Sequence, residues 1–93
     1  MAKRYSKEKL RILRNRVPLA RLISDFLHIP CKVSEGYFRF LCPLCSQFQT
    51  ATNPKTNLAR CFRCQKNFNP IDMVMAAKSC NFPEAVELID GLQ

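Results

Sequence analysis

The chain has 93 residues, of which 47% are hydrophobic and 24% charged, a composition typical of one globular domain and not of a disordered segment. No apolar run approaches the roughly 20 residues of a membrane span, and the basic N-terminus lacks the apolar segment of a secretory signal. We therefore expect a cytoplasmic protein that does not bind a membrane. Because thiols stay reduced in that compartment, the six cysteines indicate a metal site or catalysis ahead of disulfides.

The net charge of +8 is distributed unevenly along the chain. Residues 1–16 contain seven lysines and arginines against one glutamate, and residues 42–68 contain four against no acid. Residues 69–93 are acidic, with four carboxylates and one lysine. This polarity predicts a polyanion bound at one end of the molecule, with the acidic C-terminal helices turned away from it. A solvated basic face is the alternative.

The N-terminal third predicts two helices. Ser6 can cap a basic first helix, whose narrow apolar stripe consists of Leu10, Leu13 and Val17. Pro18 suits the first turn of a second helix, and Pro30 ends any continuation. The core-facing side of that second helix is predicted to consist of Leu19, Leu22, Ile23 and Phe26.

The middle of the chain predicts extended structure. Residues 31–41 form a hairpin around Ser34-Glu35-Gly36, and strand alternation places Phe38 and Phe40 on its core side. Residues 46–57 are expected to be a polar connection before a short strand at residues 58–60.

Two helices are predicted to close the chain. Asn69 caps the first, with Pro70 at its first position, and this helix should bury Ile71, Val74 and Met75. The last helix follows Asn81 and should bury Phe82, Ala85, Val86 and Ile89.

Four cysteines form the strongest motif in the sequence. Cys42 and Cys45 make one C-x2-C pair, and Cys61 and Cys64 make a second pair fifteen residues further on. Each pair can direct two sulfurs at one ion from a tight turn. The two pairs together supply the four thiolates of a tetrahedral Zn²⁺ site. Four protein ligands leave no position for water, so we expect one structural zinc ion. A disulfide pair and a rubredoxin-type iron site are the alternatives.

Three further residues of possible metal chemistry lie outside these pairs. Cys31 and Cys80 are expected to be small buried hydrophobes. His28 stands near a helix end before Pro30, where a surface or capping residue is expected rather than a ligand.

Together these residues resemble the zinc finger at the N-terminus of bacterial DNA primase, whose ligand pattern is Cys-Pro-x-His followed by Cys-Phe-x-Cys. Cys42-Pro43 and Cys61-Phe62-x-Cys64 match that pattern, and Cys45 stands where the family has histidine. The similarity covers roughly residues 17–90. It is carried further by Leu19, Leu22, Ile23, Lys32, Asn69, Ile71, Asp72, Met75, Phe82, Glu84, Ala85, Val86 and Glu87.

The resemblance implies an α+β zinc ribbon, in which a small antiparallel β-sheet carries the four-cysteine zinc site and is packed by N- and C-terminal helices. Residues 1–16 would form a basic N-terminal helix or tail, and residues 17–93 the primase-type zinc-ribbon domain. Gln65 and Phe68 replace glycines of the family, and residues 46–50 replace its "E-K-T-P-S" segment.

The resemblance also implies a module that binds single-stranded DNA, recognising template for a separate primase catalytic subunit or helicase. The chain lacks the acidic cluster of the primase catalytic domain, so it is not expected to be an enzyme. Tyr37 or Phe62 could stack on bases, although Phe62 could instead pack the zinc turn. The cations expected to follow the phosphates are Lys32, Arg39, Lys55, Arg60, Arg63 and Lys66. The alternative function is a protein–protein adaptor or regulator of a replication, transcription or mobile-element complex.

Overall fold

The structure is a computed structural model that describes residues 6–92. Lys3 and Arg4, which contribute to the predicted basic segment, lie outside the described residues. The helices are α1 (Lys7–Arg16), α2 (Leu19–Arg21, continued by a π-helical turn at Leu22–Phe26), α3 (Pro70–Lys78) and α4 (Phe82–Asp90). The strands are β1 (Cys31–Ser34), β2 (Tyr37–Phe40), β3 (Thr50–Asn53), β4 (Leu58–Cys61) and β5 (Lys66–Phe68).

The strands form two small antiparallel sheets, so the predicted α+β zinc-ribbon fold is confirmed. Strands β1 and β2 make the predicted hairpin, and β3, β4 and β5 form a second sheet in that order. Phe40 is fully buried on the core side of the hairpin, whereas Tyr37 is exposed. None of the helices within residues 6–92 is long and apolar enough to cross a membrane.

The predicted polar connection at residues 46–57 is wrong in part, because it contains strand β3, and strand β5 was not predicted either. Thr50 and Thr52 are buried in β3, and their hydroxyl groups bond to the backbone of β2. The Thr50 Oγ1 atom accepts a hydrogen bond from the Phe40 N–H at 2.9 Å and donates one to the Phe40 carbonyl. The Thr52 hydroxyl donates to the Phe38 carbonyl at 3.3 Å. Side chains therefore join the two sheets.

The helices pack into one core with the buried faces of both sheets. Leu13 of α1, Leu22 and Ile23 of the second helical segment, and the inner residues of α3 and α4 are buried together. The sequence placed Met75 and Phe82 in this core, but Met75 is only half-buried and Phe82 is 44% exposed. Phe82 begins α4, and its neighbours in the first turn are also exposed, so the burial of this helix starts at Ala85.

Both C-terminal helices begin with a capping box. Asn69 accepts from the Asp72 backbone N–H and Asn81 accepts from that of Glu84, and each acid in turn accepts from the N–H of its asparagine. The predicted starts of both helices are thus confirmed. Pro18 precedes its helix by one residue, as the N-cap of α2.

The basic and acidic segments of the chain are not kept apart. Helix α1 packs against α3 and α4, and the Lys9 ammonium lies 3.0 Å from the Asp90 carboxylate. The basic helix α1 and the acidic C-terminal helices therefore lie side by side. The cause is the apolar stripe of α1, since burying Leu13 places that helix on the C-terminal pair.

One asparagine connects the sheet to the helices. Asn57, in the turn between β3 and β4, is buried, and its Oδ1 atom accepts from the Leu19 backbone N–H at 2.9 Å. Its Nδ2 atom donates to the Arg14 and Val17 carbonyls at 2.6 and 2.7 Å. Asn57 thereby satisfies groups at the end of α1 and the start of α2 that the helices themselves leave unpaired.

Candidate metal centre and nucleic-acid interface

The four cysteines of the two C-x2-C pairs converge on one point. Cys42 and Cys45 lie in the turn after β2, whereas Cys61 ends β4 and Cys64 lies in the turn before β5. Their four Sγ atoms all lie within 4.8 Å of one another. The Sγ atoms of Cys45 and Cys61 are 3.6 Å apart, and those of Cys42 and Cys64 are 3.9 Å apart. A tetrahedral zinc with Zn–S bonds of about 2.3 Å places its sulfurs about 3.8 Å apart, so this donor set fits the ion.

The burial of the cluster indicates a structural ion. Cys42 and Cys61 are buried, and Cys45 and Cys64 are half-buried, so protein surrounds the point on which the sulfurs converge. Four thiolates would fill a tetrahedral zinc and leave no position for water or substrate. All four cysteines are free, which excludes the disulfide alternative for them in this structure.

The thiols of the cluster differ in acidity. Burial raises the pKa of Cys42. Burial also opposes ionisation of Cys61, but the Cys64 backbone N–H and the neighbouring thiols lower the pKa of Cys61 to about 7. Hydrogen bonding with Cys45, together with burial, raises the pKa of Cys64 to about 12. Because zinc binds thiolates, metal uptake must release the remaining protons, and affinity should rise with pH.

Both zinc turns end on a residue with left-handed backbone geometry. Ser46, directly after Cys45, has φ 58°, and Gln65, directly after Cys64, has φ 56°. Glycine adopts this conformation without strain, whereas for a residue with a Cβ atom it costs about 1 kcal/mol or more. The primase family has glycine after its last ligand, and glycine adopts a positive φ without strain. Gln65 adopts the same φ with strain.

Cys31 and Cys80 lie outside the cluster. Cys31 is exposed at the start of β1, so its predicted burial is wrong. Cys31 pairs with the buried Phe40 in the hairpin register, but it lies on β1, whose four residues are all exposed or only half-buried. Cys80 is half-buried, and its Sγ atom lies 3.8 Å from the Val74 carbonyl. His28 is exposed at the end of the second helical segment, in agreement with its prediction as a surface residue.

The structure brings six of the eight predicted nucleic-acid contacts to two adjoining grooves. The first, here named the sheet groove, lies between the hairpin and the outer face of β3–β5, and Tyr37, Lys55, Arg60 and Phe62 line it. The second, named the hairpin groove, is lined by Lys32, Arg39, Phe48 and Phe62 among others. Phe62 belongs to both grooves.

Cations and aromatic rings alternate along these grooves. The Lys32 ammonium lies 4.9 Å from the centre of the Phe48 ring. The Arg39 guanidinium lies 5.6 Å from the Tyr37 ring, and that of Arg60 lies 5.9 Å from the Phe62 ring. Tyr37 and Phe62 are each 53% exposed, so both offer ring surface to a ligand. This exposure does not support the alternative in which Phe62 only packs the zinc turn.

Arg39 is less available than the other groove cations. Its Nη1 atom donates to the Thr50 carbonyl at 3.0 Å, and its Nη2 atom lies 3.4 Å from the Glu35 carboxylate. The side chain is only 20% exposed. Arg39 therefore contributes first to joining β2 and β3.

Arg63 and Lys66 do not line either groove. Lys66 pairs with Cys61 in the β4–β5 register, on the face of the sheet opposite Arg60, and it borders a depression near Cys80. Sequence reasoning also missed Phe48 and Asn67, which line the grooves. Strand alternation on β4 could have identified the correct face, because it separates Arg60 and Phe62 from Cys61.

Comparison with known proteins agrees with this geometry. A family model described as a CHC2 zinc finger matches residues 5–91. The DNA primase of Streptomyces coelicolor is 29% identical to the chain over 93 residues. The alignment covers 98% of the chain but only 14% of that primase. The matched family and the cysteine cluster together fit one structural zinc ion.

Proposed function

Because the chain belongs to the CHC2 zinc-finger family of DNA primases, we propose that it binds single-stranded template DNA through the sheet and hairpin grooves. The observation that carries the proposal is the convergence of Lys32, Lys55 and Arg60 with the exposed rings of Tyr37 and Phe62. A cationic groove that follows the phosphates, combined with rings on which bases stack, is the usual arrangement for single-stranded nucleic acid.

In this proposal the zinc ion is held by Cys42, Cys45, Cys61 and Cys64 and acts as a cross-link. Strand β4 connects the metal centre to the binding face, because Cys61 points inward while Arg60 and Phe62, on either side of it, face the grooves. Fixing Cys61 to three other sulfurs thus fixes the strand that presents both contacts. The ion provides rigidity and no open coordination position.

We further propose that the polymerisation chemistry belongs to a separate catalytic subunit or to another part of the primase, with a helicase as a further possible partner. In support, the similarity to the Streptomyces primase extends over only 14% of its length. Within residues 6–92, the four cysteines are the one group of three or more His, Cys, Asp or Glu side chains close enough to bind a metal.

Fluorescence anisotropy with labelled single-stranded oligonucleotides tests the proposal. Stacking is worth about 1 to 3 kcal/mol per base, so Phe62→Ala should weaken binding about fivefold or more. Neutralising about three phosphates should give a slope of log affinity against log salt near −2 for a single strand. Lys66→Ala is the matched control, since it removes a cation from the opposite face of the same sheet.

Zinc content and circular dichroism should be measured on every variant, so that only folded, metal-loaded protein is compared. If the folded protein shows no binding at low salt, the proposal fails. Equal losses in Phe62→Ala and Lys66→Ala would also contradict it, because binding would then not depend on the grooves.

The second candidate is a protein–protein adaptor, and the exposed aliphatic residues of the sheet groove favour it. Val33 is 75% exposed and Leu58 is 43% exposed on the groove walls, and neither offers a charge to phosphate. DNA affinity that survives loss of Phe62 and Arg60, and depends only on the basic residues of α1, would favour this adaptor function.

A further inference from the structure

An arginine–asparagine pair lines the sheet groove. Arg60 of β4 and Asn67 of β5 are direct partners in the strand register, and the Arg60 Nη1 atom donates to Asn67 Oδ1 at 3.1 Å. Both side chains line the sheet groove. Neither side chain is a metal ligand, because the ligand that β4 supplies, Cys61, points to the other side of the strand.

The hydrogen bond within this pair determines which donors and acceptors remain for a ligand. Arginine can only donate hydrogen bonds, so the asparagine oxygen must point toward it and the asparagine Nδ2 must point elsewhere. The remaining donors of the guanidinium and the two N–H bonds of Nδ2 then make an array that only donates. Such an array favours an edge with neighbouring acceptors and disfavours an edge that carries an amino group.

The surroundings of this array leave room for the edge of a base. Phe62 lies just past the end of β4, two residues after Arg60, and lines the same groove, and the Arg60 guanidinium lies over its ring, 5.9 Å from the ring centre. A purine stacked on the exposed part of this ring would direct its edge toward that guanidinium, for hydrogen bonds of about 2.9 Å. On the other side of Arg60, its register partner in β3 is Ala51, whose small side chain leaves room.

We infer that Phe62, Arg60 and Asn67 form a subsite for one unpaired guanine, with the ring on Phe62 and the O6 and N7 acceptors on the donor array. Contact of arginine with these two atoms is the commonest base-specific contact in nucleic-acid recognition. Adenine presents an amino group beside N7, and thymine separates its two carbonyl oxygens by an N–H, so both suit the array less well. The inference rests on the proposed binding of single-stranded DNA and adds base selectivity to it.

The test measures the affinity of the zinc-loaded protein for an oligo-dT strand and for the same strand with one central dG, dA or dC. The dG strand should bind about tenfold more tightly than oligo-dT. Replacing that base by 7-deazaguanine, which lacks the N7 acceptor, should remove most of the preference. The same preference in a ribose strand would also support the subsite, because the recognised edge belongs to the base.

Variants locate the preference on the pair. Arg60→Lys keeps the charge but loses the planar fork, and Asn67→Ala removes the second donor, so each should lower the dG/dT affinity ratio about threefold or more. Lys66→Ala, on the opposite face, should keep the ratio. Zinc content serves as the folding check for all three proteins.

The outcomes separate the two proposals. Absence of binding to every strand would contradict the proposed function and the subsite together. Binding to all strands with equal affinity would leave the proposed function standing and overturn the guanine subsite. A preference for dC or dA, or a dG preference that 7-deazaguanine and both pair variants leave unchanged, would also overturn it.

Discussion

The metal end and the helical end of this molecule are stabilised in different ways. The helical end buries a continuous set of aliphatic side chains, including Leu13, Ile23, Ile71 and Ile89, each at most 1% exposed. Among the large apolar residues of the ribbon strands, by contrast, only Phe40 and Phe68 are buried, at 0% and 4% exposure. The other buried residues of these strands are Thr50, Thr52, Ala59 and Cys61. A short β-region with so little apolar burial needs another source of stability, which zinc supplies.

The largest effect should come from breaking the metal end. Cys45→Ser removes one of four thiolates, and structural zinc contributes on the order of 10 kcal/mol or more of apparent binding energy in small domains. We expect loss of zinc and of the ribbon fold, measured by metal analysis and circular dichroism. Cys45→His should partly restore zinc binding, since the family has histidine at this ligand position. Cys31→Ser is the control and should keep one zinc per chain.

A core substitution at the helical end should be costly without involving the metal ligands. Leu13 is fully buried in α1, and Leu→Ala substitutions at such sites cost about 2 to 5 kcal/mol. Leu13→Ala should lower the free energy of unfolding by this amount while the folded protein keeps one zinc. Arg14→Ala, at an exposed position of the same helix, should change stability by less than about 0.5 kcal/mol. Equal effects of the two substitutions in urea unfolding would contradict the predicted packing of α1.

The burial of Leu13 determines which substitutions can test the charge of the basic N-terminal segment. Deleting residues 1–16 would remove part of the core together with the charge. Substituting the exposed Arg11 and Arg14 by glutamine removes charge alone. This pair of substitutions is therefore the appropriate probe of any contribution of α1 to DNA binding.

Cutting the connection between the two ends should have an intermediate effect. Asn57→Ala removes three hydrogen bonds to α1 and α2 and leaves their backbone groups unpaired. It also places a Cβ-bearing residue without a polar side chain at φ 53°. We expect a loss of about 2 to 3 kcal/mol in urea unfolding. Asn57→Gly tolerates this φ but lacks the hydrogen bonds, so a stability equal to that of the parent protein would show that the hydrogen bonds contribute little.

The smallest effect should be a gain at the metal end. Gln65→Gly relieves the left-handed backbone after Cys64 and should raise the free energy of unfolding by about 1 kcal/mol. Gln65→Ala retains the Cβ atom and serves as the control for loss of the side chain. A gain in the alanine variant equal to that in the glycine variant would assign the effect to the glutamine side chain rather than to the backbone.

Spacing and periodicity predicted the metal centre and the helices well, because both depend on local sequence. The C-x2-C pairs, the asparagine caps and the β1–β2 hairpin each follow from a few neighbouring residues. Strand β3 was not predicted because Thr50 and Thr52 are polar residues, which are typical of a loop. In the fold they are buried, and their hydroxyl groups form hydrogen bonds with the backbone of β2. The position of Lys66 on the face opposite Arg60 follows from the β4–β5 register, which involves residues on two strands.

The hydroxyl groups of Thr50 and Thr52 have a mechanical consequence for the sheet groove. Together with the Arg39 guanidinium, they connect β2 to β3 by hydrogen bonds. Within residues 6–92, these two strands form no main-chain ladder with each other. A main-chain ladder holds two strands at a fixed spacing of about 4.8 Å, whereas here the side chains of Arg39, Thr50 and Thr52 make the connection. The hairpin carries Val33 and Tyr37, one wall of the groove, and the sheet carries Arg60, the other. The distance between the two walls of the groove is therefore set by side-chain bonds rather than by a main-chain ladder.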